Sequence, residues 1–231
     1  MRSDRMLAAT GAVYVLAMVV GNALTQGGND VGDGSAALAA LRHGRTTAQS
    51  VGAVLGPLSI FALLVFIGHL YRVLRAAERP AARAATAALG AGLVMTALDV
   101  ASAMPSVASV LGRDGLTPSL LRTLHALNDA CFVISGYVFG IFVVLAAASA
   151  FTSRVLPRWL AGGGLVVGVL ALVAGLAGIV DPGGYVPVPF LLCLVWVVVT
   201  SLLLAVRGPL AGADLEHGTA KGVAMELPAT A

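Results

Sequence analysis

The stretch WLAGGGLVVGVLALVAGLAGIV, residues 159–180, runs for 22 residues without a charge, and its reading decides the fold. A helix needs about 20 mostly apolar residues to cross roughly 30 Å of hydrocarbon. Working outward, five more runs of this kind are bounded by charge, Pro or Gly: 6–24, 51–70, 84–104, 128–151 and 189–206. The whole chain agrees, with 58% hydrophobic and 11% charged residues over 231 positions. A soluble domain carries about a quarter charged residues, so this chain has too few polar side chains to coat a water-facing surface. The expected fold is all-α: a polytopic bundle of six transmembrane helices over 1–207, followed by a disordered tail over 208–231. The same composition excludes disorder of the whole chain, a disulfide scaffold and a nucleic-acid-binding module.

Sidedness follows from the cations. Placing both termini in the cytoplasm puts ten of the fourteen Lys and Arg residues inside: Arg2, Arg5, Arg72, Arg75, Arg79, Arg83, Arg154, Arg158, Arg207 and Lys221. Both termini are therefore expected to be cytoplasmic, in a bacterial plasma membrane. The first run is longer than a signal-peptide core and lacks a small-x-small cleavage site, so it reads as a retained helix. Pro105, Pro118, Pro157, Pro182 and Pro187 fall in the gaps between runs, where helix-ending residues belong, and only Pro57 lies inside one. In the long connection, Ser35 followed by apolar residues three apart suggests a short helix on the membrane face.

Small residues mark the expected packing faces. Gly164, Gly168, Ala171, Gly175 and Gly178 share one narrow sector of the fifth span, and Gly136 and Gly140 add a second face on the fourth. Small residues four apart let membrane helices approach closely. Packing within the chain is the leading reading of these faces, and a homodimer through the same faces stays open.

Chemistry concentrates in a few intramembrane polar groups. Nine of the eleven acidic residues fall outside the runs, and Asp99 and Asp129 do not. At 1.5 Å per residue, Asp99 lies about 24 Å beyond Arg83, in the outer part of the membrane. Asp129 opens the fourth run, with Asn128 beside it and His125 four residues before it. Thr96, Asp99, Ser102 and Ser106 form a stripe on the third span, while Tyr14, Asn22, Thr25 and Gln26 lie along the first. Ionisable groups at such depth are costly and normally face the bundle interior or a cavity. The expectation is a polar site in the outer third of the bundle between the first, third and fourth spans. Asp99, Asp129 and His125 are its candidate catalytic residues, and Asn22, Tyr14, Gln26, Thr96 and Asn128 its candidate ligand-binding residues.

Three uses of that set remain open. The polar groups can serve as interhelical hydrogen bonds. They can line a pocket for a lipid-like or isoprenoid small molecule, in which a desolvated carboxyl acts as an acid in cyclase or isomerase chemistry. They can also form part of a proton-coupled small-molecule or cation transporter. A metal site is not expected, since the His and Cys density of most zinc or haem sites is missing. No P-loop, nucleophile elbow, zincin motif or CxxC is present, and no cofactor is expected. Cys131 and Cys193 read as unpaired small hydrophobes. The expected partners are membrane lipid and a hydrophobic small molecule, with no nucleic acid.

The segments AALAALRH (36–43), HLYRVLR (69–75) and LPRWLAG (156–162) resemble a family of small six-helix bacterial membrane proteins defined only as a domain of unknown function. The resemblance spans about residues 6 to 207. It implies fold and topology and carries no catalytic residues.

Overall fold

Thr117 starts the longest helix with a side-chain cap: its extended backbone (φ −101°, ψ 157°) lets the hydroxyl accept from the Leu120 backbone N–H. Pro118 follows at the first helical position, where its missing N–H costs nothing. The other end closes at Arg154, the one non-glycine residue with positive φ (55°) among the described residues. Pro157 then sits at the start of the next helix.

The computed structural model describes residues 2–26, 35, 39, 47–76, 79–112, 114–181 and 185–207. Six long helices make up these segments: α1 (Arg2–Gln26), α2 (Thr47–Arg75), α3 (Arg79–Leu111), α4 (Pro118–Ser153), α5 (Arg158–Val180) and α6 (Val188–Arg207). All six are long and apolar enough to cross a membrane, so the chain is a multi-pass membrane protein. The expected tail over 208–231 and most of the expected outer-loop helix lie outside the described residues.

All six helices outrun their expected spans, α3 and α4 by the most. α4 begins ten residues before Asn128, and at 36 residues it is about 54 Å long, well beyond the hydrocarbon thickness. Its extension carries Leu121, which packs with Leu116 and Leu124 in a small cluster of its own. α3 corrects the reading of Pro105 as a helix end, because that residue is buried inside a helix that continues to Leu111. Proline is tolerated in membrane helices where neighbouring side chains satisfy the freed backbone groups. The carbonyl that Pro105 frees is that of Ala101, while the flanking serines bond elsewhere, Ser102 donating to the Asp99 carbonyl (2.8 Å) and Ser109 to the Ser106 carbonyl (2.8 Å). Pro57 does lie inside α2, as its position in the second run implies.

The helices close into a ring in chain order, with α6 returning to α1, and α4 also touches α2 and α6. The core fills this ring with fully buried Leu63, Phe66 and Ile67 of α2, Met95 of α3, Phe139, Phe142 and Val143 of α4, and Val197 of α6. A close seam joins α4 to α5. All five small residues of the α5 stripe are buried. A Cβ placed on Gly140 would stand 2.9 Å from both the Gly168 carbonyl oxygen and the Leu172 nitrogen, so two backbones meet there. Beside them, the Trp196 indole of α6 donates to the Leu160 carbonyl (3.0 Å), and a Cβ on Gly164 would collide with it. The glycine faces of α4 and α5 are thus covered within the chain.

At the arginine-rich end, Asp4 of α1 pairs with Arg72 of α2 (2.5 Å), and Arg72 also approaches His69 Nδ1 (3.3 Å). Ser201 of α6 ties α1 from the other side. Its hydroxyl accepts from Ala12 N–H (3.0 Å) and donates to the Ala8 carbonyl (2.5 Å), bridging one turn of α1.

Candidate functional site

Asp99 sits on the inward side of α3. Gly92, Met95 and Thr96 below it are buried, whereas Leu93, Val94, Ala97 and Val100 face outward. Its side chain is half-buried, and Ser135 Oγ of α4 donates to Oδ1 at 2.5 Å. The pairing is a matter of equal depth on antiparallel neighbours. Asp99 lies about 24 Å from Arg83 along α3, and Ser135 about 28 Å from Arg154 along α4. Ser135 is buried on the α4 face that continues with Phe139 and Phe142. The second carboxylate oxygen, Oδ2, has no hydrogen-bond partner among the described residues.

Two of the expected site residues gather near this pair. Tyr14 of α1 is buried and lies within electrostatic range of Asp99. Thr96 is buried one turn below Asp99, its hydroxyl donating to the Gly92 carbonyl (2.8 Å). The others stand elsewhere. Asn22 is exposed, and its backbone carbonyl accepts from Thr25 Oγ1 (3.1 Å). The Gln26 side chain lies outside the described residues. Asp129 is exposed in the N-terminal half of α4, where the Asn128 amide reaches it at 3.4 Å. His125 is half-buried, and no ion pair joins it to Asp129 among the described residues.

Asp129 is six residues from Ser135, a rise of about 9 Å and a turn of about 240° around the helix. The polar residues therefore form two groups. One is an interior pair, Asp99 and Ser135, with Tyr14 in reach, and the other is a rim of His125, Asn128 and Asp129.

Sequence reasoning missed Ser135. Its available signal was position: a lone hydroxyl on the buried face of the neighbouring helix, at the depth of the carboxyl. Below the interior pair the bundle is solid. A Cβ on Gly92, about 10 Å below Asp99, would touch Ile67 (3.0 Å) and Phe142 (3.1 Å). Beside the pair, Phe132, Tyr185, Phe190 and Phe139 form a chain of edge-to-face rings. Tyr185, in the connection before α6, has a buried hydroxyl without a partner among the described residues, and burial raises its phenol above the usual range. Cys131 and Cys193 are both unpaired.

Residues 9–208 match the family described as Domain of unknown function (DUF4386). The chain belongs to that family. The match runs from within α1 to the end of α6, so the Asp99–Ser135 pair and the α4–α5 glycine seam of this chain lie within the matched residues. No curated protein and no solved structure shows a significant match. DUF4386 membership supplies architecture and assigns no chemistry, and the chemistry has to be argued from the side chains.

Proposed function

We propose that this protein binds a lipid-like or isoprenoid small molecule in the outer half of the bundle, in the plasma membrane of a bacterium, and that Asp99 holds the ligand's polar head. The observation that carries the reading is the half-used carboxyl. A carboxylate offers about four acceptor positions, and Asp99 receives one side-chain donor, Ser135. An ionisable group at this depth is expensive unless it is paired or faces a cavity. A hydroxyl or amine on an amphiphile would supply the missing donor at Oδ2, while its apolar body would lie among the neighbouring helices. Ser135 would fix the carboxyl's orientation, and Tyr14 would line the α1 side.

In an enzymatic version Asp99 alone would be the acid. Asp129 and His125 stand on the rim, away from a shared reaction centre. The transport alternative requires a polar path toward the arginine-rich end. Ile67, Met95 and Phe142 are fully buried side by side with Thr96 as their polar neighbour, which favours a site open to one side.

The test uses native mass spectrometry of the protein released from its own membrane, with farnesol and its methyl ether as added probes. Wild type should retain a discrete molecule or farnesol and reject the ether, which lacks the donor. Asp99→Asn should lose that retention while keeping the same elution and helicity. Equal retention of alcohol and ether, or full retention by Asp99→Asn, would overturn the reading and leave the pair as interhelical glue.

A further inference from the structure

A second binding feature lies at the opposite end of the bundle, where α2 ends and α3 begins. An open groove of about 530 Å³ is lined by Arg75, Ala82, Arg83, Thr86 and Ala87. The two guanidiniums are available. Arg75 is held by the Tyr71 hydroxyl (3.1 Å) and lies over its ring, 5.8 Å from the centroid. Arg83 is exposed, and neither arginine pairs with a carboxylate among the described residues, since Asp4 is engaged by Arg72. The Thr86 hydroxyl donates back to the Ala82 carbonyl (3.0 Å), which leaves its lone pairs as acceptors and the arginines as the groove's donors.

Along the same two helix faces the exposed residues beyond the groove are apolar. Gly68 lies seven residues before Arg75, and Gly90 seven residues after Arg83, so each shares a helix face with its arginine. Both glycines are exposed, and a Cβ on either would meet nothing within 4 Å. The exposed Phe61 continues the α2 face, and Val94 and Ala97 the α3 face. Two cations at the end of exposed apolar helix faces match a phosphodiester headgroup above an acyl chain. Basic pockets between helices on the cytoplasmic side are the usual setting for anionic headgroups.

We propose that the α2–α3 groove is a site for an anionic phospholipid, with Arg75 and Arg83 on the phosphate and an acyl chain against the exposed apolar faces that carry them. Phosphate oxygens alone would satisfy the arginines, so lipid and free phosphate must be told apart. The exposed apolar residues on the same helix faces argue for lipid.

The experiment offers the full chain in neutral detergent an equimolar mixture of phosphatidylglycerol and phosphatidylcholine, and reads the bound lipids by native mass spectrometry. Each interfacial arginine contributes roughly fivefold to anionic preference. Wild type should favour phosphatidylglycerol by at least that factor. Arg83→Gln, a change at an exposed and unbonded side chain, should lower the preference about fivefold. The Arg75→Gln, Arg83→Gln double variant should abolish it. Arg158→Gln, at the same end but outside the groove, should leave it unchanged, as should added inorganic phosphate. The proposal fails if wild type shows no preference, if the preference survives the double variant, if Arg158→Gln costs as much, or if inorganic phosphate displaces the lipid.

Discussion

The α4–α5 seam and the α3–α4 seam share one helix and solve opposite problems. Where α4 meets α5, contact is saturated: Gly140 and Gly168 bring two backbones so close that neither has room for a methyl group. Where α4 meets α3 near Ser135, contact is incomplete: one oxygen of Asp99 is bonded and the other is not. Lipid tails are as apolar as leucine, so helices in a bilayer gain little from hiding apolar surface and must gain from close packing or hydrogen bonding. The first seam uses packing alone. The second carries a polar group that packing does not explain, and the proposed ligand would use that surplus.

The largest effect should come from filling the saturated seam. Gly140→Ala would push a methyl group against the Gly168 carbonyl and the Leu172 nitrogen, both backbone atoms that yield only if α5 moves. Overpacking of this kind costs about 1–3 kcal/mol. Thermal unfolding in detergent should show that loss. Gly162→Ala in the same α5 helix, where nothing lies within 4 Å, should be neutral or stabilise by up to about 1 kcal/mol, the helix-propensity gain over glycine. Equal losses in the two variants would mean that glycine content, not the α4–α5 contact, sets stability.

How far each seam was legible in the sequence follows from the same contrast. Gly164, Gly168, Ala171, Gly175 and Gly178 announce themselves by spacing within one helix, because a small-residue face repeats with the helical period, and all five are buried. The six spans are legible for a similar reason, since hydrocarbon thickness imposes a local length. Pro105 misleads because its effect depends on what surrounds it: in water a proline at that position ends a helix, while inside this bundle α3 runs on past it. Asp99 could be flagged by depth alone. Its partner could not, because Ser135 is 36 residues away on another helix, and pairing requires knowing that α3 and α4 lie side by side. Asn22 shows the reverse limit. It reaches a similar depth along α1, yet its side chain is exposed, since depth along an axis says nothing about rotation around it.

The polar seam should respond in two separable ways. Ser135→Ala removes the donor to Asp99, and interhelical hydrogen bonds in membranes average about 0.6 kcal/mol with a ceiling near 1.7. Its unfolding midpoint should therefore fall less than that of Gly140→Ala. If the seam were structural glue, Asp99→Asn would behave like Ser135→Ala in stability and change nothing else. If it is a ligand site, Asp99→Asn loses the bound molecule while Ser135→Ala keeps it with weakened affinity, since Oδ2 remains. A ligand-dependent rise in midpoint, seen in wild type and Ser135→Ala but not in Asp99→Asn, would separate the two.

The smallest effect should come from Ser201→Ala, and its size sharpens the contrast between saturated and unsaturated polar groups. Ser201 is fully buried and its hydroxyl uses donor and acceptor at once, bridging the Ala12 N–H and the Ala8 carbonyl. Those two groups are a donor and an acceptor four residues apart, so they are each other's natural helical partners. Removing the bridge leaves neither group orphaned, because each has the other within α1, and the penalty for an unsatisfied buried polar atom does not arise. The remaining cost is the space of one oxygen, and the loss of stability in thermal unfolding should stay below the roughly 0.6 kcal/mol average of an interhelical hydrogen bond expected for Ser135→Ala. Protection of the Ala12 amide against hydrogen exchange should persist in the variant. A large loss in Ser201→Ala would show instead that the hydroxyl clamps α6 to α1, and that a polar group with every bond satisfied can matter as much as the one left open at Asp99.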